Sequence, residues 1–254
     1  MIKSAVKGLA GTLAYDVIRK NAGGEAEHSR GLISKFSANG QDVSFFVVNE
    51  WDYIQAHHLK GKFYEQEELE LIGRYFKGGV LVDVGANIGN HSIYALKFLG
   101  ATRVIAFESN PAAARLLKVN LALNDVSDRV DHRLAGLSNT HGGAKLIAPS
   151  HKDLGSTRVS VGAADADCLV LPGDEALANE RTIAMIKIDT EAMELQVLEG
   201  LTATLARHRP ILFVEVDNAN HPSFLEFVDA QGYEVAETYR RYAGNGNFLL
   251  VPRA

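Results

Sequence analysis

Four short apolar runs, each followed by a segment of helical or mixed pattern, constrain this chain more than any other feature. Val80–Val84, Arg103–Phe107, Ala184–Asp189 and Ile211–Val216 are too short and too uniformly apolar for amphipathic helices. Such runs suit strands buried on both faces, which occur in parallel sheets whose crossovers are helices. The crossover segments carry helical stripes: Leu116, Val119 and Leu123 after the second run, and Leu198, Leu201 and Leu205 within a helix expected over Glu191–Arg207. Asn110 caps the first of these helices, with Pro111 at its first position. Arg129–Leu134 reads as a further strand, Glu175–Glu180 as a short helix, and Pro222–Ala230 as a helix ended near Gly232. Tyr233–Thr238 and Phe248–Val251 have no helical pattern between them and should pair as antiparallel neighbours. The expected fold is α/β: a doubly wound, seven-stranded, mostly parallel, Rossmann-like sheet with an antiparallel C-terminal strand.

Upstream of this core, Leu69, Ile72 and Phe76 mark a helix that begins near Glu65, with Glu67 and Glu68 where negative charge suits the helix dipole. Residues 1–63 read as an N-terminal extension, and residues 64–254 as the main domain with an insertion around 139–171. Within the extension, Ile2–Val17 suggests a short amphipathic helix in a loose arm over residues 1–29. Residues 31–48 suggest a β-hairpin turning at Asn39-Gly40, which accepts the positive φ angles of a tight turn. The stretch 51–63, with Trp51, Tyr53, His57, His58 and Phe63, has no clean period and is assigned to the substrate side. The aromatic residues of the hairpin are expected to be exposed, where a second copy would pair to give a homodimer. A net charge of −5 with 22% charged residues gives no basic excess, so nucleic acid is not an expected partner. Cys168 is the one cysteine, so no intrachain disulfide forms. No apolar run approaches the ~18 residues of a membrane span, and a cytoplasmic location is expected.

The turn Asp83-Val84-Gly85-Ala86-Asn87-Ile88-Gly89-Asn90-His91 leaves the first buried strand and enters a helix. Ligands of open α/β sheets bind beyond the carboxyl ends of the strands, where strand order reverses. Gly85 and Gly89 let backbone approach a ligand, Asn87 offers a donor and an acceptor, and Asp83 places a carboxylate beside the loop. The G-x-G-x-x-G spacing of a dinucleotide site is absent, and Asp83 would repel a pyrophosphate. A zwitterionic sulfonium such as S-adenosylmethionine (SAM) would be accepted. About twenty residues on, Glu108 ends the second strand, where a carboxylate receives ribose hydroxyls; Ser109 and Asn110 follow it. Lys187, Asp189 and Glu191 cluster at the end of the fourth strand, and Glu215, Asp217 and Asn218 at the end of the fifth.

These segments together resemble the FkbM family of SAM-dependent methyltransferases over about residues 50–252. The resemblance rests on Asp83–Ser92, Ala106-Phe107-Glu108-Ser109-Asn110-Pro111, Asn120-Leu121-Ala122-Leu123-Asn124, Ile186-Lys187-Ile188-Asp189-Thr190-Glu191 and Asn247–Pro252, with Gly61-Lys62-Phe63-Tyr64-Glu65 as lead-in. It implies a class I methyltransferase fold, SAM as cofactor, and O-methylation of a hydroxyl on a sugar, glycan or secondary metabolite. Two positions depart from the family pattern: Ser109 stands where Pro is usual, and Ala192 where Gly is usual.

The cofactor is therefore expected on Asp83, Gly85, Asn87, Gly89, Asn90, Glu108, Ser109 and Asn110. Asp189, Glu191, Lys187 and His58 are the candidate catalytic residues, with His91 and His221 also weighed as bases. A divalent cation on Asp189 with Glu215 or Asp217 is conceivable from ligand type, but no metal is assigned. Two other functions stay open at this point: a nicotinamide-dependent oxidoreductase of similar fold, and a non-catalytic SAM-binding scaffold.

Overall fold

The computed structural model describes residues 2–7, 13–20, 26–147, 154–163 and 165–253. The chain opens with β1 (Ile2–Lys7), β2 (Leu13–Lys20), β3 (Ala26–Ala38) and β4 (Gln41–Val47), which form one antiparallel sheet in that order. The amphipathic helix expected within Ile2–Val17 and the loose arm are therefore corrected to strands where the residues are described. Tyr15, Val17 and Ile18 favour strands, and β3 supplies the backbone partners that a helical reading of this segment leaves out. The hairpin turn falls at Asn39 and Gly40, with φ of 47° and 76°. Its aromatic residues do not face outward as expected. Phe45 and Phe46 are 0% and 1% exposed and pack into the protein's own core.

Two helices follow, α1 (Tyr53–Leu59) and α2 (Gln66–Tyr75). The first corrects the aperiodic reading of 51–63. Asp52 caps it by accepting from Gln55 N at 2.9 Å, and its buried residues are Gln55 and His58. A helix that turns polar side chains inward has no apolar stripe to betray it.

The main domain then alternates: β5 (Gly79–Val84), α3 (Asn90–Phe98), β6 (Ala101–Phe107), α4 (Pro111–Leu123) and β7 (Val130–Arg133). The insertion adds β8 (Gly136–Ser138), β9 (Gly142–Ile147), β10 (Arg158–Val161) and β11 (Cys168–Pro172), a small sheet in the order β10-β9-β11-β8. After α5 (Gly173–Ala176) come β12 (Met185–Ile188), α6 (Glu194–Glu199), α7 (Thr202–His208), β13 (Ile211–Asp217), α8 (His221–Ala230), β14 (Tyr233–Tyr239) and β15 (Asn245–Pro252). The large sheet has the order β14-β15-β13-β12-β5-β6-β7. β15 runs antiparallel to both its neighbours, β13 and β14, and the other neighbouring strands pair parallel. Strand order reverses between β5 and β12, which sets the switch point at the ends of those two strands. The fold is the doubly wound, seven-stranded, class I arrangement.

One expected helix is split. Glu191–Arg207 becomes α6 and α7, and α6 starts only at Glu194 because Glu191 and Ala192 take φ of 53° and 81°. The break falls at Gly200, where a Cβ would lie 1.9 Å from the Ser138 carbonyl oxygen. The close approach of the β8 segment displaces a regular helix there. The expected helix over Glu175–Glu180 is also shorter and earlier, as α5.

Apolar layers cover both faces of the large sheet. On one, Leu69, Ile72, Tyr94 and Leu117 pack with Phe45 of the N-terminal sheet. On the other, Val197, Leu198, Leu201, Leu205 and Phe224 pack on β12 and β13. Full burial of such a side chain stabilises the fold by roughly 1.5–3 kcal/mol. Two asparagines one turn apart on α4 fasten β4 to this core. Asn120 Oδ1 accepts from Phe46 N at 2.7 Å, and Asn124 Oδ1 from Ser44 N at 3.1 Å. Their amide groups donate to the carbonyls of Ile88 and Ser44. Among the described residues no helix is long and apolar enough to cross a membrane.

Candidate active site at the strand ends

The carboxyl ends of β5, β6, β12 and β13 open onto a cavity of about 410 Å³, within the roughly 300–1,000 Å³ of small-molecule sites. Gly85 and Asn87 line it from the β5–α3 turn, and Glu108, Ser109 and Asn110 from the end of β6. Asp189 and Glu191 reach it from beyond β12, and Glu215 from β13. The N-terminal elements contribute Tyr53, Tyr64 and Glu65, and Tyr242 and Asn245 close the far side.

The turn is fixed by close backbone contact. Gly85 has φ 76°, and a Cβ there would stand 1.8 Å from the Asp189 carbonyl oxygen. Asn87 also takes a left-handed φ, 49°, and its Oδ1 is buried without a partner. Its backbone N–H donates to Glu108 Oε2 at 2.7 Å, while Asn110 N–H donates to Glu108 Oε1 at 2.7 Å. Each carboxylate oxygen keeps a further lone pair for a ligand hydroxyl. Burial pushes the Glu108 carboxyl up to about 7, against the pull of the two amides. Asn110 caps α4 through Ala112 N and lies 3.5 Å from Thr157 Oγ1 of the insertion.

Four residues predicted for the site lie beneath or beside it instead. Asp83 is fully buried; it accepts from Ser92 Oγ at 2.6 Å and faces Lys187 Nζ at 3.4 Å. Lys187 is 3% exposed, donates to the Gly85 carbonyl at 2.8 Å, and reaches Asp189 at 3.4 Å. Burial opposes its charge, but the carboxylates of Asp189, Asp83 and Glu65 outweigh that and hold its pKa above the ordinary lysine value. Gly89 heads α3 at φ 96°, where a Cβ would press on Leu117 at 2.7 Å. Asn90 bridges the Tyr64 backbone, accepting from its N–H and donating to its carbonyl. Asp83 and Lys187 therefore support the turn from below, and Gly89 and Asn90 fix the start of α3.

The structure does not bring His58 to the cavity. Its ring stacks on Phe45, with centroids 3.6 Å apart, and its Nε2 faces Asn90 Oδ1 at 3.0 Å. Burial lowers its pKa to about 4. It cannot approach an acceptor there and acts as a packing and positioning residue. His91 is likewise buried and lowered to about 4, by burial and then by the Lys187 charge. His221 contacts the Val216 carbonyl and packs edge-on against Phe248, outside the lining. Asp217 turns to Arg158 at 3.7 Å and is also outside it.

Glu65 is among the cavity residues that sequence reasoning missed, with Tyr242 and Asn245. Glu65 precedes α2 with φ 56°, its side chain is nine-tenths buried with Oε2 3.7 Å from His91 Nε2, and it lines the cavity. Burial, with the charges of Asp189 and Glu68, pushes it up to about 8. Glu215 is pushed up to about 9 by burial and by Asp189, Glu65 and Glu191, and accepts from Asn245 Nδ2 at 2.8 Å. A helix-start acid gives no hint of such burial in the sequence. Asp189, Glu191 and Glu215 present oxygens within 4.8 Å of one another, so this part of the cavity is a compact acidic wall.

Comparison with known proteins gives a consistent fold. The chain is similar to the ribosomal protein L11 methyltransferase of Geobacter sp. (strain M21), 39% identical over 85 residues, which are 32% of this chain and 28% of that one. It is also similar to methyltransferase sdnD of Sordaria araneosa, 27% identical over 154 residues, 48% of this chain and 60% of that one. The matches thus span less than two thirds of these relatives. Among solved structures, a protein in the NADB-Rossmann superfamily from Streptococcus agalactiae aligns with TM-score 0.51 at 15% identity, over 76% of this chain and 70% of that one. A precorrin-6y C5,15-methyltransferase from Geobacter metallireducens GS-15 aligns with TM-score 0.50 at 14% identity, over 76% and 90%. These structures correct the resemblance drawn from sequence: the scaffold is the general Rossmann-like class I methyltransferase fold, and not a fold distinctive of one family. The resemblance is also narrower than residues 50–252, because the model of the family described as "Methyltransferase FkbM domain" matches residues 83–235. That match takes in more than half of the chain, from Asp83 near the end of β5 to the first residues of β14, and by it the chain belongs to the Methyltransferase FkbM domain family.

Proposed function

We propose that this chain is a SAM-dependent methyltransferase that methylates a hydroxyl of a small molecule, of the sugar, glycan or secondary-metabolite kind. The observation that carries the reading is the pairing of Glu108 with the Asn87 amide. It sets a ribose-accepting carboxylate against the backbone of a turn opened at Gly85, in a cavity also lined by Asp189, Glu191 and Glu215.

The residues present fit SAM. The orphaned Asn87 Oδ1 seeks a donor, Gly85 leaves the turn backbone open, and Glu108 retains lone pairs for two hydroxyls. SAM, when bound, supplies an electrophilic methyl group on a positively charged sulfur. The protein's own part is alignment, worth up to ~7–11 kcal/mol of barrier, and removal of a proton from the acceptor, worth about 10²–10⁴-fold. Asp189, Glu191 and Glu215 stand where that proton would go. Glu215, raised to about 9, is a stronger base than an ordinary carboxylate once ionised. Lys187 acts through Gly85 and Asp189, holding cofactor turn and acceptor wall in one register.

Calorimetric titration with SAM tests the assignment. The wild-type chain should bind one equivalent, and Glu108→Ala should bind at least about tenfold more weakly, as expected for lost charge-assisted hydrogen bonds. Equal affinity in a folded Glu108→Ala variant would refute the cofactor site.

A further inference from the structure

The cavity lining is one-sided in charge. Among the described residues it contains Glu65, Glu108, Asp189, Glu191 and Glu215, and no Lys, Arg or His. Lys187 lies behind the wall and is committed to Gly85, Asp83 and Asp189. The cofactor's ammonium and carboxylate cancel, so its sulfonium would be the one positive charge brought to this wall.

Two further observations there point to a donor-rich ligand. Asn245 lines the cavity with its Nδ2 committed to Glu215, and its Oδ1 is buried with no donor. Three tyrosines form the mouth: Tyr53 meets Tyr64 edge to face at 5.6 Å, and the Tyr64 and Tyr242 hydroxyls are 3.0 Å apart. Aromatic faces beside carboxylates are a recognition surface for ammonium groups, which carry three donors and a charge.

We propose that the acceptor is a hydroxylated amine, whose ammonium group binds between Glu65, Glu215 and the tyrosine mouth and so presents a neighbouring hydroxyl to the methyl donor. This rests on the reading of the cavity as a methyl-transfer site and narrows its substrate class. Phosphorylated and carboxylated acceptors are disfavoured by the same wall. Glu65 and Glu215 hold protons near neutral pH in the free protein, for the reasons of burial and mutual repulsion given above. An arriving ammonium favours their ionised forms, so binding should release protons.

A matched set of probes tests this: 2-aminocyclohexanol, cyclohexane-1,2-diol and 2-hydroxycyclohexanecarboxylate, titrated at pH 7 into protein saturated with S-adenosylhomocysteine. The amine should bind about tenfold or more tightly than the diol, the scale of one charge-assisted contact, and the acid more weakly than either. The amine's heat should differ between phosphate and Tris buffers in the sense of proton release. Glu215→Gln should reduce the preference for amine over diol to about threefold or less while keeping affinity for S-adenosylhomocysteine. No amine binding, equal binding of amine and diol, or preference for the acid would overturn the proposal. Should S-adenosylhomocysteine itself fail to bind, the methyltransferase reading falls; the probe series on the free protein then judges the cationic preference by the same thresholds.

Discussion

Ala192 holds φ at 81°, next to Glu191 at 53°, and left-handed backbone costs an L-residue ~1–2 kcal/mol. This pair delays the start of α6 and turns Glu191 into the cavity. Ala192→Gly should therefore stabilise the chain by roughly 0.5–1 kcal/mol, the relieved strain less the ~0.5–1 kcal/mol entropic cost of glycine in the unfolded chain. Urea melts measure it, and a destabilised variant would mean that the methyl group makes packing contacts outweighing the strain. The Gly expected here from the family pattern thus has a backbone reason that was invisible before φ was known. Gly85, Asn87, Glu108 and Asp189 were legible because their position, just past a buried strand, decides where they point. Asp83, Asn90 and His58 were placed at the right end of the sheet, but the sequence does not reveal that their partners are Ser92, the Tyr64 backbone and the Phe45 ring. Glu65 shows the same gap: nothing in its local pattern reveals that its side chain is buried beside His91 of α3.

At the scale of elements, the parallel strands were readable because burial on both faces leaves an uninterrupted apolar run. The helix α1 was not, since its inward face carries Gln55 and His58. The split of α6 from α7 was not either, since it follows from contact with the β8 segment and not from local propensity. The segment Asn120–Asn124 stood out in sequence without a physical role. The structure supplies one: two side chains on one face of α4 serve the backbone of β4 at alternate residues. Asn120→Ala would leave the Phe46 N–H and the Ile88 carbonyl buried without partners. A loss of about 2–6 kcal/mol is expected, from ~1–3 kcal/mol for each stranded group. Because Ile88 belongs to the cofactor turn, SAM affinity should fall as well. Chemical denaturation and SAM titration of Asn120→Ala check both; unchanged stability would show that β4 does not depend on α4.

At the scale of the whole molecule, the acidic cavity ties stability to pH with an unusual sign. Glu65 and Glu215 are held near 8 and near 9 in the folded chain, against an ordinary 4.5. Between those limits the native state binds more protons than the unfolded chain, so stability falls as pH rises. Glu108 and Glu194, both raised to about 7 chiefly by burial, act the same way up to neutrality. His58 and His91 oppose them: lowered to about 4 from 6.5, they make stability fall as pH drops from 6.5 towards 4. Above pH 6.5 the histidine contribution is constant and the carboxylates act alone. The melting temperature of the free protein should therefore fall by several degrees from pH 6.5 to pH 9, at roughly 2–4 °C for each kcal/mol lost in a chain of this size. Glu215→Gln, which cannot ionise, should flatten the fall between pH 7 and 9, and a Glu65→Gln, Glu215→Gln pair should nearly remove it. A bound cation would do the same by stabilising the ionised carboxylates. Scanning calorimetry across this range measures all of these curves. A wild-type melting temperature that is flat or rising from pH 6.5 to 9 would show that these carboxyl groups are ionised in the native state, and that the cavity wall is better solvated than its packing implies.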